Sequence, residues 1–319
     1  MKSLNHIAPR RFRLTIKGGI VAAALFLGGC TEKTWPDLGP ISYEPVVMMS
    51  EVARGGEQAT HNAYPKDSSF GVWVMALEEH LLWKYDHKFA DTVVDNEIVG
   101  WNGTEWNTAV PYDWPAEKTL TVAAYSPVNV EAEFSAKSGV AFSNVDALDE
   151  DSKELMYAGP VCDKTYGAGS GSVNLPFRHA LCSVQFAVIP HLPEHIDVKV
   201  RHISVEQLYH KGSFTSLPYP SWSVSGDCYT QVFFEGEEVV LAGETELLDS
   251  PKWLLPQITK VKVKLVCDFL YKEATLPEQS FEIEKNVAWE AGMTYSYTLK
   301  IYTDNIGFLH DNISGFIAE

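Results

Sequence analysis

The chain lacks nearly everything that catalysis needs. Its 319 residues contain no CxxC pair, no HExxH run and no GxSxG turn. The cysteines, at 30, 162, 182, 228 and 267, have no spacing that suits a zinc site, and none has a histidine beside it in sequence to form a thiolate pair. His191-Leu192-Pro193-Glu194-His195 places two histidines four apart, but Pro193 prevents the helix that would align their rings. The run Gly167 to Ser172 is followed by Val173-Asn174-Leu175, a strand pattern, whereas a phosphate-binding glycine loop opens a helix. The acidic stretch Asp146 to Glu154 lacks the alternating carboxylates and central glycine of a calcium loop. No catalytic residue, no metal and no cofactor is therefore expected. Cations are scarce too: 25 Lys and Arg face 42 Asp and Glu, and the net charge of −17 makes nucleic acid and other polyphosphates poor partners.

Long apolar runs are equally rare. The one that stands out, Gly18 to Gly29, spans about twelve residues where a membrane-crossing helix needs roughly twenty. It follows Lys2, Arg10, Arg11, Arg13 and Lys17 with no anion among them, which is the layout of a signal peptide over residues 1–29. Leu27-Gly28-Gly29-Cys30 resembles the bacterial lipobox, so Cys30 is expected to become the lipidated first residue and to tether the protein to a membrane. Removing residues 1–29 takes five cations and no anion, and the charge moves from −17 to −22.

The rest reads as strands. Val261, Val263, Leu265, Cys267 and Phe269 alternate with Lys262, Lys264 and Asp268, and the same period of two runs through Tyr295 to Ile301, Cys182 to Val188 and Ile196 to Val200. Cys182 and Cys267 fall on the apolar sides of their strands, as small buried hydrophobes do; a disulfide among the four later cysteines is left open. Phe70 to Leu77 and Leu120 to Tyr125 are continuously apolar, as strands covered on both faces are. Helical periodicity is confined to Val145 to Met156, where one short helix is expected. Many short strands punctuated by Pro and Gly predict an all-β protein of antiparallel sandwiches. The glycine-rich run marks the boundary, giving a first domain over 30–170 with a short lipid-proximal spacer and a second over 171–319. Trp101, Trp106, Trp114 and Tyr112 fit either a sandwich core or a sugar-stacking platform, with the core favoured.

Several motifs then fall in a familiar order. Arg54-Gly55-Gly56 follows the first strand, and Phe70-Gly71-Val72-Trp73-Val74 forms the next apolar one. Trp114-Pro115 precedes Leu120 to Pro127, which closes in an Ala-Tyr-x-Pro step; Glu154-Leu155-Met156-Tyr157-Ala158 and Val173 to Ala180, ending Phe-x-His-Ala, come after it. Gly212-Ser213-Phe214, Leu255-Pro256-Gln257 and Trp289 to Tyr297 complete the series. In this order the chain resembles the fimbrillin family, the subunits, tips and anchors of type V pili together with fimbrillin-like surface lipoproteins. The resemblance implies two tandem transthyretin-like β-sandwich domains on the cell outer membrane, and a fimbrial subunit or accessory protein that acts in adhesion and assembles by strand addition. Its partners would be other fimbrial subunits, the membrane through the lipid, and a host or bacterial surface ligand. It also implies protease processing after Arg54; on physical grounds His179 is expected to satisfy a core hydrogen bond rather than bind a metal. Asp91-Thr92-Val93 resembles the O-glycosylation signal of some Gram-negative anaerobes, with Thr92 as acceptor. A monomeric surface lipoprotein that binds glycan or protein is the alternative. Asn312-Ile313-Ser314-Gly315-Phe316 departs from the family, which has a tryptophan near that point.

The lipobox yields a direct test. Mass spectrometry of the mature protein is expected to find residue 30 at the N-terminus carrying lipid, and Cys30→Ala to release the protein from washed membranes; a Cys30→Ala protein that still sediments with membranes places the tether elsewhere.

Overall fold

The computed structural model describes residues 38–48, 61–167 and 171–315. They form eighteen strands and only one α-helix, α1 (Trp83–Asp86), so the chain is all-β as the alternation predicts. The first ten strands are β1 (Ser42–Met48), β2 (His61–Ala63), β3 (Ser69–Glu78), β4 (Asp91–Trp101), β5 (Trp106–Thr108), β6 (Lys118–Ser126), β7 (Ala132–Ser135), β8 (Gly139–Asp146), β9 (Met156–Lys164) and β10 (Ser172–His179). The remaining eight are β11 (Cys182–Pro190), β12 (Ile196–Thr215), β13 (Ser221–Val240), β14 (Glu246–Leu254), β15 (Ile258–Tyr271), β16 (Ala274–Ala288), β17 (Met293–Ile301) and β18 (Ile306–Gly315).

Eight strands in the order β10-β9-β6-β3-β4-β5-β1-β2 make the first sheet, and a further β10–β1 pairing closes it into a ring. Its interior holds Phe70, Val72, Val74, Val99, Trp106, Leu120, Val122, Leu175 and Phe177. β10 belongs to this sheet, paired to β9 and β1, although the boundary expected at 170/171 assigns it to the second half. The second half is a two-layer sandwich. The sheet β14-β11-β17-β18 faces β12, β13, β15 and β16 across a core that includes Phe186, Val188, Ile203, Leu208, Phe233, Leu265 and Leu299. Cys182 and Cys267 are buried free thiols in that core, and burial pushes Cys267 up to about 12. Cys162 and Cys228 are exposed and also free.

A third apolar cluster joins the halves. β8 leaves the first half and pairs with the far end of β12, from Lys211↔Asp146 to Thr215↔Ala141. Between them lie Trp73, Ala123, Tyr125, Phe142, Leu155, Tyr157, Leu181 and Phe214. This cluster is why β3 and β6 are apolar on both faces: Val72 and Val122 look into the ring, Trp73 and Ala123 into the junction. His210 Nδ1 sits 2.7 Å from Asp146 Oδ1 across the β8–β12 pair. On the other stretch of β12, Arg201 grips the buried Asp268 with Nε and Nη2 at 2.6–3.0 Å, and that guanidinium holds the Asp268 carboxyl below the usual range.

The helix expected over Val145 to Met156 is absent. β8 runs to Asp146, β9 starts at Met156, and the space between holds a single 3₁₀ turn, Glu150–Ser152. Too few residues separate the strands for a helix to outgrow its nucleation cost.

The Phe-Gly-Val motif has a steric origin. Gly71 pairs with Tyr125 on the junction face, and a Cβ at Gly71 would lie 2.1 Å from the Tyr125 ring. The ring crosses the glycine backbone, stacks 5.0 Å from Trp73, and its hydroxyl donates to Asn96 Oδ1 at 2.9 Å. Gly71→Ala is therefore expected to cost about 2 kcal/mol in urea unfolding by displacing Tyr125. In the Tyr125→Ala background the same change should cost at least about 1 kcal/mol less; equal costs in both backgrounds would rule this explanation out.

Candidate assembly site

β1 is the strand that closes the first sheet, and its sequence fits that place. Ile41, Tyr43, Pro45 and Val47 are buried, while Glu44 on the opposite face is exposed. On one side β1 runs parallel to β10, with partners from Ser42↔Ser172 to Val47↔Phe177. On the other side it meets β5 at Tyr43↔Trp106 and β2 from Val46↔Ala63 to Met48↔His61, both antiparallel. Pro45, which has no amide to donate, falls in the gap between those two contacts. The start of the strand is fixed by Ile41 N donating to Tyr112 O at 2.8 Å and Ser42 N to Gly171 O at 3.1 Å.

Beneath β1 lies an aromatic bed. Tyr43 meets Phe70 edge-on at 6.2 Å, and Phe70 lies 5.7 Å from Trp106 and 5.3 Å from Phe177. Tyr64 touches Phe70, Trp106 and Phe177 at 5.0–5.5 Å, and its hydroxyl lies 2.8 Å from Ser126 Oγ. Burial pushes the Tyr64 phenol up to about 12, and it raises Tyr43 too, so both stay neutral. Ile41 just before the strand and Tyr43, Pro45 and Val47 on it, at about 2 kcal/mol each, represent about 8 kcal/mol of apolar burial. That is comparable to the whole net stability of a domain. A chain without β1 must refill the groove or leave this bed in water.

The structure distributes the residues singled out in the sequence. Cys30 and Arg54 lie outside the described residues, on either side of β1 in sequence. Thr92 is exposed near the start of β4, its Oγ1 3.5 Å from Met75 Sδ. Trp106 and Trp114 are core residues, and Trp101 packs on Trp106 at 5.6 Å with the Lys66 ammonium over its ring. His191 and His195 sit on an exposed loop. Among the described residues no group of His, Cys, Asp or Glu side chains could hold a metal ion, and no helix is long and apolar enough to cross a membrane. Sequence reading missed Tyr64 and Phe177 as parts of the bed, because only the pairing of distant strands brings them under β1. It also missed β18, the edge strand that pairs with β17 from Ile301↔Ile306 to Met293↔Gly315.

His179 ends β10 at the passage between the halves, buried and stacked 5.0 Å from Trp253. Burial lowers it to about 4, so the folded protein holds it neutral. A depressed histidine stabilises the fold above its unfolded value near 6.5 and loses that contribution as pH falls towards 4. Unfolding free energy is expected to drop by about 3 kcal/mol across that window from this group. In His179→Phe, which keeps a ring against Trp253, that share of the pH dependence should vanish; an unchanged profile would remove His179 as its source.

The described architecture has counterparts. The fimbrillin-like family model matches residues 59–314. A fimbrial protein from Bacteroides vulgatus superposes with a TM-score of 0.59 at 17% identity, over 87% of this chain and 99% of that one. A candidate cell adhesion protein from Bacteroides ovatus gives 0.52 at 14%, over 88% and 98%. Another from Parabacteroides distasonis gives 0.53 at 8%, over 88% and 99%. A search of curated proteins returned no match. At these identities the superpositions establish a shared fold, whereas the family model covers most of the sequence. The chain therefore belongs to the fimbrillin-like family, a family of fimbrial proteins rather than enzymes.

Proposed function

We propose that this protein is a surface-anchored fimbrial subunit or accessory protein that acts in adhesion and joins its neighbours by strand addition. The observation that carries this reading is the position of β1. It closes the first sheet over an aromatic bed, yet it lies wholly outside the family match, which begins at residue 59, five residues after Arg54. Cleavage after Arg54 frees β1 from the rest. Its departure leaves the β10 and β5 edges with unpaired amides and carbonyls above an apolar groove, the arrangement that accepts an incoming strand. Main-chain pairing then supplies affinity, and the alternating pockets of Ile41, Tyr43, Pro45 and Val47 select the side chains of the strand that enters.

The rest of the reading follows the same plan. Cys30 carries the lipid and holds the protein on the outer membrane, Thr92 is an exposed acceptor for O-glycosylation, and other fimbrial subunits are the partners. The two halves, the closed first sheet and the sandwich after it, act as tandem domains, with β10 counted in the first and the seam at Ala180 and Leu181.

Limited trypsin digestion of the mature protein, with the cut mapped by mass spectrometry and the product sized by chromatography, tests strand addition. Selective cleavage after Arg54 and oligomers that grow with concentration are expected. Resistance at Arg54, or a cut product that stays monomeric at every concentration, eliminates this mechanism and leaves a monomeric surface lipoprotein.

A further inference from the structure

Strand directions fix which loops share an end of the first sheet. β1 starts where β3 and β5 finish, since it is antiparallel to β5, β5 to β4, and β4 to β3. The contacts agree: Gly39 O accepts from Trp114 N, and Glu79 N donates to Glu117 O, both beside the start of β6. The β3–β4 connection therefore lies at the end where the chain enters the ring.

That connection presents an unusual surface. Leu82 is 49% exposed, Tyr85 67% and Phe89 61%, three large apolar side chains within eight residues, and Val110 at the same end is 66% exposed. The segment is held firmly. Trp83 is buried and stacked 5.7 Å from Phe134, and its amide donates to Asp163 Oδ1 at 2.9 Å. The ammonium groups of Lys84 and Lys88 lie 5.4 Å and 4.8 Å from the Tyr85 and Phe89 ring centroids. Exposed aromatics flanked by lysines able to snorkel are the composition of a membrane interface.

We propose that in the anchored, unprocessed protein this end of the ring rests on the bilayer, with Leu82, Tyr85, Phe89 and Val110 in the interfacial layer. The inference rests on the reading of Cys30 as the lipid-bearing residue. From Cys30 to Leu38 the chain advances eight residues, at most about 28 Å when fully extended, so the described end cannot stand far from the lipid. The tether raises the local concentration of membrane, and a modest apolar patch is then enough to set orientation. Glu79, Asp86 and Glu117 sit at the same end as the lysines, so attraction to anionic lipid is weak and the contact is apolar in origin.

A tether that does not depend on lipidation tests this. The chain from residue 31, with a hexahistidine tag in place of Cys30, is bound either to phosphatidylethanolamine and phosphatidylglycerol vesicles containing a nickel-chelating lipid or to lipid-free nickel beads. Amide exchange over residues 79–90 is expected to slow about fivefold or more on vesicles relative to beads, to persist in high salt, and to revert in Leu82→Ser/Tyr85→Ser/Phe89→Ser. If the triple variant melts at a lower temperature, Tyr85→Ser alone makes the comparison. Equal exchange on both supports, protection confined to another surface, or protection that survives the substitution overturns the proposal. Because the tag supplies the tether, each of those results leaves lipidation of Cys30 standing, and mass spectrometry decides that question separately.

Discussion

The fold turns on the closure of its first sheet by a strand whose longer ladder is made with a strand from far along the chain. β1 pairs on one side with β2, the next strand, and with β5 at a single position, while its other edge is held by β10, more than a hundred residues later. Non-local pairing of this kind gains its hydrogen bonds only after long loops have been closed. The aromatic bed sets the requirement. Phe70, Trp106 and Phe177 project into one space, and without a strand over them their faces meet water. Which strand covers them matters less to the bed than that one does, provided its side chains alternate and its backbone can bond on both edges.

Much of this was legible in the sequence because each strand's surroundings shape its own pattern. β11, β15 and β17 are half covered and alternate; β3 and β6 have an apolar cluster on each side and are continuous. The failures are equally physical. β12 reads as a short strand to Val200 because register shifts after that residue break the period of two, although the strand continues to Thr215. Gly167 to Ser172 looks like a linker between domains, but the strand after it returns to the first sheet as the parallel neighbour of β1. A flexible composition marks a loop and does not say which sheet the next strand joins.

The candidate site divides in the same manner. The expected chemical handles, Cys30 and Arg54, are short linear motifs that are read without a fold. Its physical substance, the groove under β1, is assembled from Tyr64, Phe70, Trp106 and Phe177, whose adjacency depends on strand order alone. Phe70 and Phe177 sit in motifs recognised from the sequence, yet nothing local indicates that they share one space. Tyr64 carries no signal beyond an aromatic ahead of a proline. Its place becomes intelligible only once its hydroxyl is seen to bind Ser126 at the far end of β6.

The direction of β1 also fixes where the chain enters and leaves the ring. Because β1 and β10 are parallel, the chain enters the ring at one end and leaves it for β11 at the other. An antiparallel closing strand would bring the entering chain to the same end as the second half. With the parallel arrangement, the β3–β4 connection and the entering chain share one end, while Ala180 and Leu181 carry the chain onward from the opposite one. The first sheet thus separates the end where the chain enters from the end where it passes to the second half. β1 and β10 run side by side between them, in register from Ser42↔Ser172 to Val47↔Phe177.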